Sequence, residues 1–500
     1  MTIDQPPTIA TALVVPRPMS VEPAGASFEI TAKSAIVTST ADGETARIAG
    51  YLAALLRRST GFALPVVTDD ADPTGNIVVG LGGATTGNEG YELNVSADSV
   101  TLTAARGAGL FNGVQTLRQL LPGRIESATV QPAPWTVPGC LIKDRPRFAW
   151  RGAMLDVARR FFGVEAVKRY IDDLVPYKIN VLHLHLTDDQ GWRIAIDKWP
   201  RLTEVGGTSQ VGGGEGGFYT KADYTEIVTY AADRYVTIIP EIDLPGHTTA
   251  ALSSYAELND GGVAATPYTG SNVGFSSLSV SLDATWAFVS DVVAEVAALT
   301  PGPYLHVGGD EVEKLTLAEY ANFVERVERI VNAAGKQVIG WAEIGKAQIS
   351  ATTVIQYWNT GADDEVVREA VARGARVLMS PASKVYLDMK YDAGTELGQA
   401  WAGVIEVRDA WDWDPSTLVQ GVTAGQIIGV EAPIWTETLD TMEAVETMAF
   451  PRLPAIAEVA WSATQGRDWS DFRTRLGAQA TRWAAMGLRY YRSPQVDWLD

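Results

Sequence analysis

Two carboxylates stand side by side in the segment HVGGDE, Asp310 and Glu311. Neighbours in a strand point to opposite faces, but just past a strand end both can turn toward one ligand and approach it from one side. Such a pair suits one proton donor and one positioning carboxylate. A retaining glycosidase with a protein nucleophile needs its two carboxylates on opposing sides of the scissile bond, about 5–5.5 Å apart. The glycines before the pair let a substrate come close to the backbone, which sets it apart from a solvated Asp-Glu on an acidic surface.

The four histidines, His183, His185, His247 and His306, all fall in short segments rich in carboxylates, among them Asp188, Asp189, Glu241 and Asp243. They lack a recognised ligand spacing, and the acids can satisfy them by hydrogen bonding, so no metal and no other cofactor is expected. Acids mixed with tryptophans point to sugar chemistry. Glycoside cleavage needs an acid to protonate the leaving oxygen and a second group to stabilise an oxocarbenium-like centre. One tryptophan alone reads as a core filler; Trp341, Trp358 and Trp435 together read as the walls of a pocket for a pyranose ring.

Residues this far apart need a scaffold that gathers them. Eight short apolar runs read as strands: 150–157, 180–187, 236–243, 304–308, 337–342, 353–358, 376–380 and 427–432. Helical periodicity fills 164–178, 224–234, 285–299 and 317–333 between them. This alternation predicts an α/β chain with a (β/α)8 TIM barrel, whose functional groups collect at the C-terminal strand ends. Assigned there are Arg151 and Asp156, His185 and Asp188, Glu241, Asp243 and His247, then Asp310 and Glu311. Trp341, Trp358, Tyr386 with Asp388, and Trp435 with Glu437 complete the ring.

Residues 1–145 read instead as a smaller α+β domain, with helices over 44–58 and 107–121, a strand at 77–80 and a hairpin over 91–104. The proline-rich stretch 132–146 reads as the linker from it, and 146–500 as the catalytic barrel domain. The Gly/Ser-rich stretches 206–217 and 259–279 read as loops bordering a site.

A net charge of −20 disfavours nucleic acid and anionic membrane as partners. No apolar run approaches the length of a membrane span. The single cysteine, Cys140, excludes an internal disulfide and a thiolate metal cluster. The N-terminal MTIDQPPTIATALVV lacks a basic region before its apolar stretch, so the expectation is a cytoplasmic protein, or a secreted one if a leader has been trimmed. No heptad or exposed apolar stripe decides between a monomer and a homodimer.

The segments RGAMLDVARRFF (151–162), HLHLTDDQGWR (183–193), PEIDLPGH (240–247) and HVGGDE (306–311) resemble, in this order, those of family 20 glycoside hydrolases, the β-N-acetylhexosaminidases. GWAE (340–343), YWN (357–359), YLDMKY (386–391) and EAPIWTE (431–437) extend the resemblance. The helix GLFNGVQTLRQLL (109–121) resembles the end of the family's N-terminal domain, so the likeness spans nearly the whole chain. It implies a retaining exo-enzyme acting on terminal N-acetylhexosaminides through an oxazolinium intermediate. Asp310 would hold the acetamido N–H, Tyr386 its carbonyl oxygen, and Glu311 would be the general acid and then base. Trp341, Trp358 and Trp435 would enclose the sugar, Arg151, Asp388 and Glu437 bind its hydroxyls, and His247 with Asp188 support Glu311. Trp411 or Trp413 would stack on the next sugar. Arg160 stands where many relatives carry another residue. Three other readings remain: a glycosidase with Glu437 or Asp243 as nucleophile, active without an acetamido group; a lectin-like inactive barrel; and an enzyme of the same mechanism that releases a disaccharide. The second should lack Asp310, Glu311 or Tyr386, and the sequence has all three.

Overall fold

The structure, a computed structural model, describes residues 13–39, 42–68, 72–83 and 87–499. The segment read for a leader lies outside these up to residue 12. Two units form. One gathers the chain up to Arg147 with Val175–Lys178 and Leu453–Asp500; the other holds Phe148–Leu174 and Ile179–Arg452.

In the first unit, seven strands lie side by side in the order Ser20–Pro23, Cys140–Asp144, Tyr91–Val95, Val100–Ala104, Ile77–Leu81, Ile36–Thr38 and Val66–Thr68. The helices Gly43–Thr60 and Gly107–Leu120 pack on this sheet. Asp42 caps the first by accepting from Thr45 N at 2.7 Å, and Gly61 (φ 70°) ends it. This unit corrects two expectations. The stretch 132–146 is no linker: it contains the strands Trp135–Val137 and Cys140–Asp144. Its prolines, 132, 134, 138 and 146, flank these strands and interrupt neither, so composition alone misled. Residues 453–499, expected with the rest of 146–500 in the barrel domain, instead pack into this unit. Arg482 and Arg118 enclose the buried Glu126 at 2.5 and 2.6 Å, and Arg475 forks onto Glu458.

The second unit is the eight-stranded parallel barrel that the alternation predicts. Its strands are β1 (Trp150–Asp156), β2 (Val181–His185), β3 (Thr237–Glu241), β4 (Tyr304–His306), β5 (Gln337–Trp341), β6 (Val354–Tyr357), β7 (Arg376–Met379) and β8 (Ile427–Ile434), and β8 closes on β1. Inward-facing positions recur every second residue. The lowest layer is apolar: Val181, Ile239, Ile339, Val354, Leu378 and Ile428 pack with Trp150. Two residues further on, the same strands present His183, Glu241, Trp341 and Gln356, all buried. Polarity thus rises toward the C-terminal end, where the chemistry is expected. No helix among the described residues is long and apolar enough to cross a membrane.

Candidate active site

A cavity of about 540 Å³ opens at the C-terminal end of the barrel. Asp310, Glu311, Tyr386, Trp341, Trp358, Asp388, Trp435 and Glu437 all line it. The loop stretches read as site borders contribute Val211 from one and Ser271 and Val273 from the other. Gly212 N donates to Thr269 O at 2.8 Å, tying the two loops together.

The turn carrying the paired carboxylates is built from unusual backbone. After β4 the chain passes through Gly308 (φ 65°), Gly309 (φ 101°) and Glu311 (φ 53°), all in the left-handed region. Gly308 admits no substituent, since a Cβ there would lie 1.8 Å from Asp243 Oδ1. Asp243 Oδ1 accepts from Gly309 N at 3.2 Å, and the Tyr320 hydroxyl donates to Gly309 O at 2.6 Å, pinning the turn from both sides. A left-handed conformation at Glu311 costs about 1–3 kcal/mol, which this pinning must offset. The result is that Asp310 and Glu311 meet the same atom: His247 Nε2 lies 3.5 Å from Asp310 Oδ2 and 3.3 Å from Glu311 Oε2. Their side chains are 12% and 32% exposed, so Asp310 sits deep and Glu311 nearer the mouth.

Behind them runs a buried chain of charges. His247 Nδ1 lies 3.3 Å from Asp188 Oδ1, while Asp188 Oδ2 meets His185 Nε2 at 2.9 Å and Arg159 Nη2 at 2.8 Å. Glu241 joins His183, His185, His306 and the Trp341 indole, and His183 Nδ1 reaches Glu431 at 2.9 Å. Burial works against a charged His247, but Asp188, Asp310 and Asp243 outweigh it and push its pKa well up. Burial likewise opposes ionised Asp188, yet Arg159 and His247 hold it well below the usual carboxylate range. Burial pushes the Asp310 carboxyl up to about 6; the His247 charge pulls it down and the Glu311 charge adds to the rise. Burial and the Glu437 charge push Asp388 well up. Buried trios such as His183, Glu241 and His306 have the composition of metal ligands. His183 lies between Glu241 and Glu431 at 3.0 and 2.9 Å, and His306 Nδ1 lies 2.9 Å from Glu241, with His306 Nε2 the one imidazole nitrogen of that trio left unpartnered.

Aromatic rings form the walls. Trp341, 1% exposed, is the floor, 5.8 Å from Trp435. Trp358 lies parallel to Tyr386 at 6.5 Å between centroids. Three carboxylate oxygens around this cavity, Asp310 Oδ1, Asp388 Oδ2 and Glu437 Oε2, are buried without any hydrogen-bond donor. Buried acceptors in that condition cost about 1–3 kcal/mol each, so the cavity is set to receive N–H and O–H donors.

Two assigned residues lie elsewhere. Arg151 is the second residue of β1, at the N-terminal end of the barrel, where its buried guanidinium donates to Phe148 O and Ala149 O. The guanidinium in the cavity belongs to Arg159, just past the end of the same strand, stacked over Trp435 at 4.7 Å. The doublet in LDVARRFF was its signal. Trp411 and Trp413 are buried, 4% and 7% exposed, and do not line the cavity. The exposed indole at the rim is Trp401, edge-on to Trp358 and Tyr386 at 6.0 and 5.8 Å. Asn359 and Gln399 also reach the cavity; Asn359 stood within the YWN motif, whereas nothing in the sequence marked Gln399.

Comparison with known proteins gives the same picture along the whole chain. Residues 148–464 match the glycosyl hydrolase family 20 catalytic domain, and residues 11–145 match domain 2 of that family. A β-N-acetylhexosaminidase of Cellulomonas fimi is 46% identical over 488 residues, covering 97% of each chain. The family 20 β-N-acetylhexosaminidase of Streptomyces coelicolor A3(2) superposes with a TM-score of 0.95 at 51% identity, covering 98% of this chain and 99% of its own. The Streptomyces plicatus β-hexosaminidase, solved as a mutant with GlcNAc as product, matches with a TM-score of 0.95 at 51% identity over 98% of both chains. With both family domains matched in order and the barrel end furnished as described, the chain belongs to glycosyl hydrolase family 20, as a glycoside hydrolase of the β-N-acetylhexosaminidase type.

Proposed function

We propose that the protein is a retaining exo-β-N-acetylhexosaminidase that removes terminal non-reducing GlcNAc or GalNAc with the sugar's own acetamido group as nucleophile. The observation that carries this is the set of three donorless carboxylate oxygens around an aromatic cavity. An N-acetylated pyranose supplies an N–H for Asp310 and hydroxyls for Asp388 and Glu437, while its apolar faces meet the indoles. The relatives are hexosaminidases, and the Streptomyces plicatus enzyme was solved with GlcNAc as its product.

In the first step, Asp310 accepts the acetamido N–H and turns the carbonyl oxygen toward the anomeric carbon, and the Tyr386 hydroxyl donates to that oxygen. The carbonyl oxygen bonds to the anomeric carbon as the glycosidic bond breaks, and Glu311 gives its proton to the departing oxygen. An oxazolinium ring results, its positive charge facing Asp310. In the second step, Glu311 takes a proton from water, whose oxygen attacks the anomeric carbon and reopens the ring. Two inversions leave the configuration retained. The adjacency of Asp310 and Glu311 and their common neighbour His247 support one acid plus one orienting carboxylate. Arg159, Asp388 and Glu437 line one end of the cavity, which favours release of single sugars.

The test compares 4-nitrophenyl N-acetyl-β-D-glucosaminide with 4-nitrophenyl β-D-glucoside, on wild type and Asp310→Ala. Turnover of the acetamido sugar alone, cut by about 10²–10³ in the variant, is expected for loss of a charge aimed at the reacting group. Comparable turnover of the plain glucoside would mean a protein nucleophile, and catalysis by the acetamido group would be ruled out.

A further inference from the structure

Behind the cavity wall, Glu343 sits on the 3-10 turn Ala342–Lys346 that follows β5. It is half-buried and is absent from the cavity lining. Its Oε2 accepts the indole N–H of Trp358 at 3.0 Å. Trp358 is the ring on which the others lean: parallel to Tyr386, with an interplanar angle of 14°, and edge-on to Trp401 at 73°. An indole has one hydrogen-bonding atom, Nε1. Stacking fixes the distance between rings but leaves rotation in the plane soft, so this acceptor supplies the directional constraint on the wall.

The protonation state of Glu343 fits that task. Withdrawal from water, with the charges of Asp310 and Asp363 adding, pushes its carboxyl up to about 8. At neutral pH it accepts from Trp358 without placing another negative charge beside Asp310.

We propose that Glu343 is a positioning residue of the sugar site, holding Trp358, and through it Trp401, in the orientation that the substrate meets. This rests on the cavity being the N-acetylhexosaminide site. Glu343 touches no reacting atom, so its effect falls on binding more than on the chemical step.

Kinetics with 4-nitrophenyl N-acetyl-β-D-glucosaminide on wild type, E343Q, E343L, W358F and the E343L/W358F double variant test it. Loss of one neutral hydrogen bond predicts about a tenfold rise in KM for E343L, with kcat changed less than about threefold. Glutamine keeps an acceptor oxygen, so E343Q should stay within about threefold of wild type. W358F lacks the N–H and part of the wall, so its KM should rise at least as much as that of E343L, and the double variant should be no worse than W358F alone. Wild-type KM in E343L, losses that multiply in the double variant, or E343Q as poor as E343L would overturn the proposal. If E343L does not fold, the pair E343Q and W358F decides: an unchanged KM in W358F overturns it. Absence of wild-type turnover would instead refute the functional reading, a result distinct from unchanged ratios among the variants.

Discussion

Replacing Arg159 and Arg151 separately by methionine divides binding from stability along a single strand. The Arg159 guanidinium lines the cavity, keeps a buried Nε–H without an acceptor, and pairs with Asp188 at 2.8 Å. A hydrogen bond from a charged donor to a sugar hydroxyl is worth about 1.5–3 kcal/mol. At about 1.4 kcal/mol per tenfold, Arg159→Met should lower kcat/KM by about 10–150-fold, and more where Asp188, one partner short, loosens its hold on His247. Arg151 lies five residues before the end of the strand, about 16 Å away at about 3.3 Å per residue. Its loss removes donors from two carbonyls, Phe148 O at 2.9 Å and Ala149 O at 3.3 Å. Ala149 O keeps the Asn180 amide as a donor at 2.8 Å, so losing the two guanidinium bonds costs about 1–3 kcal/mol of stability, while kcat/KM per folded molecule should stay within about twofold. The assay is hydrolysis of 4-nitrophenyl N-acetyl-β-D-glucosaminide beside a thermal melt of each variant. A large kcat/KM loss in Arg151→Met with an unchanged melt, or full activity in Arg159→Met, would refute the assignment.

Three further outcomes are expected. Asp310 must be ionised to accept the acetamido N–H, and its carboxyl is pushed up to about 6. Wild-type kcat/KM should therefore fall about tenfold per pH unit below pH ~6, and Asp310→Asn should lose that acid limb along with most of its activity; an identical limb in the variant would assign it to another group. Trp401, 54% exposed at the rim, should matter for the sugar beyond the cavity: Trp401→Ala is expected to raise KM for N,N′-diacetylchitobiose about five- to tenfold, whereas Trp411→Phe should leave it unchanged, and the reverse result would restore the assignment to Trp411. In the N-terminal unit, burial opposes ionised Glu126 but Arg118 and Arg482 prevail and hold it down to about 2, from 4.5. A depressed carboxylate contributes stability above its unfolded pKa and loses it as pH falls. Glu126→Gln should then cost about 3–5 kcal/mol at pH 7, with the gap to wild type closing between pH 4.5 and 2; urea unfolding at both ends checks this, and a constant gap would contradict it.

Most of the architecture was legible because it is written in local periodicity. Each of the eight apolar runs became a strand of the barrel, and the reading of 317–333 as a helix matches Leu317–Ala333. The paired carboxylates were legible for a related reason, since adjacency in HVGGDE, with glycines before it, describes a turn as well as a chemistry. Where composition stood in for pattern, the reading failed: prolines around two strands looked like a linker.

What the sequence determined by itself was the inventory of groups and the strands that carry them. Their selection was tertiary. Arg151 and Arg159 share one motif, and only the register of β1, running from Trp150 to Asp156, sends one guanidinium to the floor of the barrel and the other into the cavity. Trp401 and Trp411 share one loop region, yet one is a rim and the other core. Neither choice is encoded within a few residues, because burial and direction depend on which distant strands close around a side chain. The donorless oxygens of Asp310, Asp388 and Glu437 exist as a set only once β4, β7 and β8 have come together around one space.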